Sequence, residues 1–155
     1  MRSSSKGFSV IDLLVASTTM LVLIATAVPT LTDLLASFER NAAIEQVTFD
    51  LQRARQEAIA QGTKAILTIH GDGTNYSVGT DLLPYSAPPN ADVTIFSNSL
   101  PSRVTMNSSQ TVIFDSRGFL IDDNSQSTTT VLSFQHGDWY CMGTIAAIGT
   151  MNVDC

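Results

Sequence analysis

The chain has 155 residues, a formal net charge of −6 and two cysteines, enough for one modest domain plus a short extra segment. Beyond Gly62 its basic side chains are Lys64, Arg103 and Arg117 against eight aspartates, a balance that repels phosphate backbones and disfavours nucleic acid as a partner. Cys141 and Cys155 have no histidine near them in sequence, so they make a weak zinc site and, in an oxidising compartment, a natural disulfide. Closing the short loop between them is worth about 3 kcal/mol in the chain-entropy treatment.

The first residues, Met1 to Gly7, are short and basic, with Arg2 and Lys6. Phe8 to Asp12 follows, and then an uncharged run from Leu13 to Thr32. At about 1.5 Å per residue such a run matches the thickness of a hydrocarbon core. Ser17, Thr18, Thr19, Thr26 and Thr30 dilute it, but hydroxyls can bond back to helix carbonyls. Basic residues before the run place the N-terminus on the cytoplasmic side. Two simpler readings compete: a secretory signal cut near Ala25-Thr26-Ala27, and a plain single-pass anchor. Neither accounts for both the Gly7-Phe8 junction and the lone acid at Asp12.

The stretch Lys6-Gly7-Phe8-Ser9-Val10-Ile11-Asp12-Leu13-Leu14-Val15 resembles the class III signal of type IV prepilins and type II secretion pseudopilins. The resemblance implies that a prepilin peptidase cuts between Gly7 and Phe8 and methylates the new amino terminus at Phe8. It also implies that Asp12, where the family usually has glutamate, meets the N-terminal amine of a neighbouring subunit. A carboxylate is costly in lipid, and opposite charges attract strongly when desolvated, so such a pair can set register during assembly. Aspartate reaches one methylene less far. Pro29 matches a proline common in the family, and it lacks one backbone donor, so it should kink or loosen the helix.

Past the uncharged run, Ile44, Val47, Leu51, Ala54 and Ala58 recur at helical spacing, and Gly62 supplies a C-cap. A helix from Phe8 to Gln61 would be on the order of 80 Å long. Leu51-Gln-Arg-Ala54-Arg55-Gln56-Glu57-Ala58-Ile59-Ala-Gln-Gly62 resembles the helix end of the GspH/FimT minor pseudopilin domain, and Val112-Ile113-Phe114-Asp115-Ser116-Arg117-Gly118 resembles that family's later strand and turn. Arg53 and Arg55 themselves read as a solvated helix face with weak charge pairs.

After Gly62 the pattern turns to short strands. Ala65–Ile69 and Tyr76–Val78 flank a turn at Gly71-Asp72-Gly73. Pro84, Pro88 and Pro89 mark an irregular loop. Val93–Phe96, Val104–Met106, Thr111–Phe114, Phe119–Ile121 and Thr130–Phe134 are further strands, and Trp139–Ile148 reads as a hairpin turning near Gly143. The polar segment Asp122–Thr129 reads as a mobile loop. Many short strands after one long helix argue α+β with antiparallel sheet.

The family resemblance gives this a name: a pilin-like lollipop. Residues 1–7 would be the leader, 8–35 the transmembrane and assembly helix, 36–62 the amphipathic half of the helix, packed on the sheet, and 63–155 the β-rich head. Chemistry is sparse. His70 and His136 each stand alone, without a nucleophile and an orienting acid beside them. Asp122, Asp123 and Asn124 offer oxygen ligands for calcium, but the same residues favour a polar turn and no EF-hand spacing follows. No enzyme, cofactor or metal is expected.

The expected function is structural: a minor pilin or pseudopilin in the bacterial inner membrane, single-pass, with its head in the periplasm or on the cell surface after assembly. By resemblance it acts near the tip of a type IV pilus or type II secretion pseudopilus, or in assembly initiation. Its partners would be other pilins or pseudopilins, the prepilin peptidase and inner-membrane lipid. The alternatives are a minor pilin acting as a surface-ligand or DNA receptor, and a membrane-anchored domain that never polymerises. Gly143 to Cys155 contains no lysine or arginine, which counts against DNA.

Overall fold

The computed structural model of the protein describes residues 9–85, 89–101, 103–107 and 110–155. Among the described residues one long helix, α1 (Val10–Gln61), is followed by nine strands in antiparallel sheets, the expected α+β fold. The chain divides into two compact units, residues 1–38 and 39–155.

In the first unit α1 begins at a cap built by Ser9. The Ser9 hydroxyl accepts from the Ile11 N–H (3.3 Å), and Asp12 Oδ2 accepts from the Ser9 N–H (3.2 Å). This is a capping box with aspartate in the usual place of glutamate. The hydroxyls along the helix bond back as expected: Ser17 and Thr18 to the Leu14 carbonyl (2.9 and 3.0 Å), Thr19 to Ala16 (2.9 Å), Thr26 to Leu23 (3.0 Å) and Thr30 to Ala27 (2.7 Å). Each hydroxyl satisfies itself on its own helix, which makes the segment compatible with lipid. The helix runs unbroken through Pro29.

In the second unit α1 buries Ala43, Val47, Leu51, Ala54 and Ala58 on one face. Ile44, expected on that face, is only half-buried, because Ala43 holds the interior position one residue earlier. The helix ends at Gly62 (φ 65°), with the Thr63 N–H bonded to the Ala58 carbonyl (3.2 Å), the six-to-one bond of a glycine cap.

The strands are β1 (Lys64–Ile69), β2 (Asn75–Asp81), β3 (Val93–Ser99), β4 (Thr105–Met106), β5 (Thr111–Phe114), β6 (Leu120–Ile121), β7 (Thr130–His136), β8 (Trp139–Ile145) and β9 (Met151–Asp154). They form a five-stranded sheet in the order β3-β2-β1-β5-β6 and a four-stranded sheet in the order β4-β7-β8-β9. The strand period of two sends Ala65, Leu67 and Ile69 of β1 and Tyr76 and Val78 of β2 into the main core. Leu132, Phe134, Cys141 and Ile145 fill the same core from the second sheet. Ile66, Ile113 and Ile121 form a small separate cluster.

One expectation from the sequence is corrected. Gly143 is not a turn. It lies inside β8, paired to Leu132 on one side and Val153 on the other. A Cβ there would collide with Met151 Cε and press on the Phe134 ring at 3.4 Å, so glycine serves close packing within the sheet. The reversal instead falls at residues 146–150, where Gly149 (φ 78°) donates to the Ala146 carbonyl (2.8 Å). The polar segment Asp122–Thr129 forms a hydrogen-bonded turn. Asp122 Oδ1 accepts from the N–H groups of Asn124 (3.0 Å) and Gln126 (2.7 Å), and Ile121 bridges to Ser127.

Candidate assembly site

The site with the strongest sequence signal is the N-terminal helix. Gly7 and Phe8 lie outside the described residues. Asp12 sits in the first turn of α1, and its carboxylate holds the Ser9 N–H. It is the only ionisable side chain from Val10 to Thr32. Around it, Val10, Ile11, Leu13, Leu14 and Val15 are all exposed, and so are Met20 through Ile24. By length and composition this helix can cross a membrane. A continuous apolar surface of this kind needs lipid or other helices as its solvent.

The head contains a buried polar network that the sequence did not reveal. Asp50, on α1, is 3% exposed although its neighbour Leu51 belongs to the core. Its Oδ2 accepts from the Tyr76 hydroxyl (2.5 Å) and the Asn98 amide (2.7 Å). Gln46, one turn earlier, donates to the Tyr76 oxygen (3.2 Å) and the Ser99 carbonyl (3.1 Å). Burial, and then the bond to Asp50, push the Tyr76 phenol well above its ordinary range. The network clamps α1 to β2 and β3, and a satisfied buried network of this sort fixes one docking geometry.

Arg55 also departs from its expected role on a solvated face. Its Nε donates to the Gly118 carbonyl (3.0 Å), and it is half-buried. Gly118 has φ 80°, and a Cβ there would lie 2.7 Å from Ile59 Cδ1 and 3.0 Å from Arg55 Nε. The two segments that carried the family resemblance therefore meet: the Ala54-Arg55 helix end seats on the Phe114–Gly118 strand and turn. Arg53, as expected, stays exposed, with its guanidinium 4.4 Å from the Phe96 ring.

Cys141 and Cys155 are bonded to each other. The β8–β9 pairing of Met142 with Asp154 sets them side by side, with Cα atoms 4.4 Å apart. His70 follows β1 and caps the Asn75 carbonyl through its N–H (2.9 Å). His136 ends β7, and its Nε2 lies 3.5 Å from Glu39 Oε2 on α1. Asp72 holds the β1–β2 turn by accepting from the Thr74 hydroxyl (2.7 Å) and from the N–H groups of Thr74 (3.0 Å) and Asn75 (3.3 Å). Chiefly through the Thr74 hydroxyl, its carboxyl is lowered to about 2. Among the described residues no group of three or more His, Cys, Asp or Glu side chains could hold a metal ion.

Residues 43–144 match the family model of the type II transport protein GspH. The chain belongs to the GspH family. Its fold is similar to that of the type IV minor pilin FimU of Pseudomonas aeruginosa strain PAO1, with a TM-score of 0.58 and 17% identity over 74% of this chain and 87% of that one. It is also similar to the minor pseudopilin EpsH from the Type 2 Secretion System of Vibrio cholerae, with a TM-score of 0.53 and 16% identity over 76% of this chain and 97% of that one. No curated protein matches the chain. The chain is thus a GspH-family member with the fold seen in these two solved structures. In a member of this family, an apolar N-terminal helix points to membrane anchoring.

Proposed function

We propose that this GspH-family chain is a minor subunit that enters a type IV pilus or type II secretion pseudopilus through its N-terminal helix, near the tip or at the initiation of assembly. The observation that carries the proposal is the exposed apolar helix with a single carboxylate, Asp12, at its start. An apolar helix needs no charge to sit in lipid, and an unpaired charge there is costly, so Asp12 is functional by default. In the single chain it caps its own helix through Ser9. In the filament it would exchange that bond for the amine of a neighbour, an interaction strengthened by desolvation.

In this reading residues 1–7 are removed, Phe8 becomes the methylated first residue, 8–35 crosses the inner membrane and later packs in the filament, 36–62 anchors the head, and 63–155 faces outward. Pro29 loosens the helix during packing. The peptidase and inner-membrane lipid are partners on the way, and other pilins or pseudopilins are the final ones. The test is the intact mass of the precursor expressed with and without a prepilin peptidase. Loss of Met1 to Gly7 with one methyl added at Phe8 supports the reading. An uncut chain, or a cut near Ala27, overturns it.

A further inference from the structure

At the start of the second unit two buried polar atoms face each other, and neither is satisfied. Glu39 Oε2 and His136 Nε2 lie 3.5 Å apart. Both atoms are shielded from solvent, and among the described residues neither has a hydrogen-bond partner. A buried polar atom left unpaired is uncommon and costly. The fold brings the two together from separate elements. Glu39 stands on α1 one turn before Ala43, which is the first fully buried residue of that helix among those described. His136 ends β7, and the turn through Gly137 (φ 58°) and Asp138 leads into β8.

A second contact holds the same corner. Arg40 places its guanidinium 5.2 Å from the Trp139 ring. Two consecutive residues of α1 therefore address the two residues that flank one hairpin turn. The Arg40 contact is constant, because arginine keeps its charge. The His136 contact is not, because imidazole changes charge between about pH 5 and 8. The other charged or titratable groups around this corner are few. On α1 the positions three and four residues from Glu39 are Leu35, Ala36, Ala42 and Ala43, all apolar. Asp138 in the turn and Tyr140 on β8 are exposed, and so is Arg103, which precedes β4 on the other side of β7.

From this geometry we infer that Glu39 and His136 form a proton-operated clasp between α1 and the β7–β8 hairpin. A proton taken from solvent by His136 makes Nε2 a charged donor to Glu39 Oε2, and both buried atoms are then paired. Shielding from water strengthens that pair. When the proton returns to solvent the charge pair is gone, the clasp opens, and α1 is held to the head from Ala43 onward. The clasp's contribution is present at the acid end of the histidine range and is lost as pH rises through it. The inference concerns the head alone and is independent of any filament.

The test follows the full chain in neutral detergent micelles by hydrogen exchange and mass spectrometry, with protection corrected for the intrinsic exchange rate. From pH 5 to pH 8 the protection of amides 39–42 should fall about tenfold, the size of one charge-assisted hydrogen bond. Trp139, the chain's only tryptophan, should become more open to acrylamide quenching over the same interval. His136→Gln and Glu39→Gln should each abolish this pH dependence while Leu132 and Phe134 in the core keep wild-type protection. Glu39→Gln, on the more exposed partner, decides the matter if His136→Gln does not fold. Constant protection of amides 39–42 in the wild type overturns the clasp. So does a pH dependence that survives in a folded variant, one that disappears in His70→Gln, or an equal loss of protection at Leu132 and Phe134.

Discussion

The two parts of α1 are written in the same helical geometry but for different solvents. From Val10 to Leu35 every described side chain is exposed, and the hydroxyls bond to their own helix. From Glu39 to Gln61 a stripe of small and branched residues is fully buried, and the polar side chains reach out to specific strands: Gln46 to Ser99, Asp50 to Tyr76, Gln52 to Gly149 and Arg55 to Gly118. In the first half the described hydroxyls turn back on their own helix; the second half is specified residue by residue. One half is suited to interchangeable packing in lipid or among helices, the other to a single fixed head.

Mutations should divide along the same line. The largest effect is expected from Phe134→Ala, which empties a fully buried site and should cost about 3–5 kcal/mol of head stability in denaturant unfolding. Leu21→Ala, a comparable loss of apolar volume in the first half, should leave that unfolding curve in place. An equal shift from both would erase the distinction between the halves.

The same division explains what the sequence disclosed. Periodicity exposes Val47, Leu51, Ala54 and Ala58 because each lies in an uninterrupted apolar stripe, and Gly62 marks the end because only a left-handed residue closes the cap. Asp50 is invisible to that reasoning. It is a charge beside a core leucine, like several solvated acids on the same helix, and its partners lie 26 and 48 residues away. Gly143 misleads for the opposite reason: glycine signals a turn locally, but here it answers to Met151 on the next strand. Arg55 was legible as part of a family pattern but not as a contact, since its acceptor is a backbone carbonyl 63 residues on. Of the candidate assembly site, Asp12 is legible in the sequence, because a lone carboxylate in an apolar run is a local anomaly.

Smaller effects sharpen the comparison within the head. Reducing the Cys141–Cys155 bond, or replacing both cysteines by serine, should lower stability by about 3 kcal/mol, read as a reduced midpoint in denaturant. Tyr76→Phe removes a donor from the buried Asp50 carboxylate and should cost about 2 kcal/mol in the same assay.

Asp72 should give the smallest change, visible only against pH. Its carboxyl is held at about 2, below the ordinary value near 4, so its contribution is present above the ordinary value and is lost as pH falls through about 2. Between pH 5 and 2 the wild-type midpoint should fall more than that of Asp72→Asn. Parallel curves would show that the turn contributes nothing through this charge.

The most direct test of the account is the fate of Asp12→Ala in the host's assembled filaments. The wild-type chain should co-purify with other pilin-like subunits in the pilus or pseudopilus fraction. Asp12→Ala should be absent from that fraction while its head unfolds at the wild-type midpoint. Equal recovery of the two chains would contradict the role given to Asp12, and absence of both would contradict the assignment of the helix to assembly.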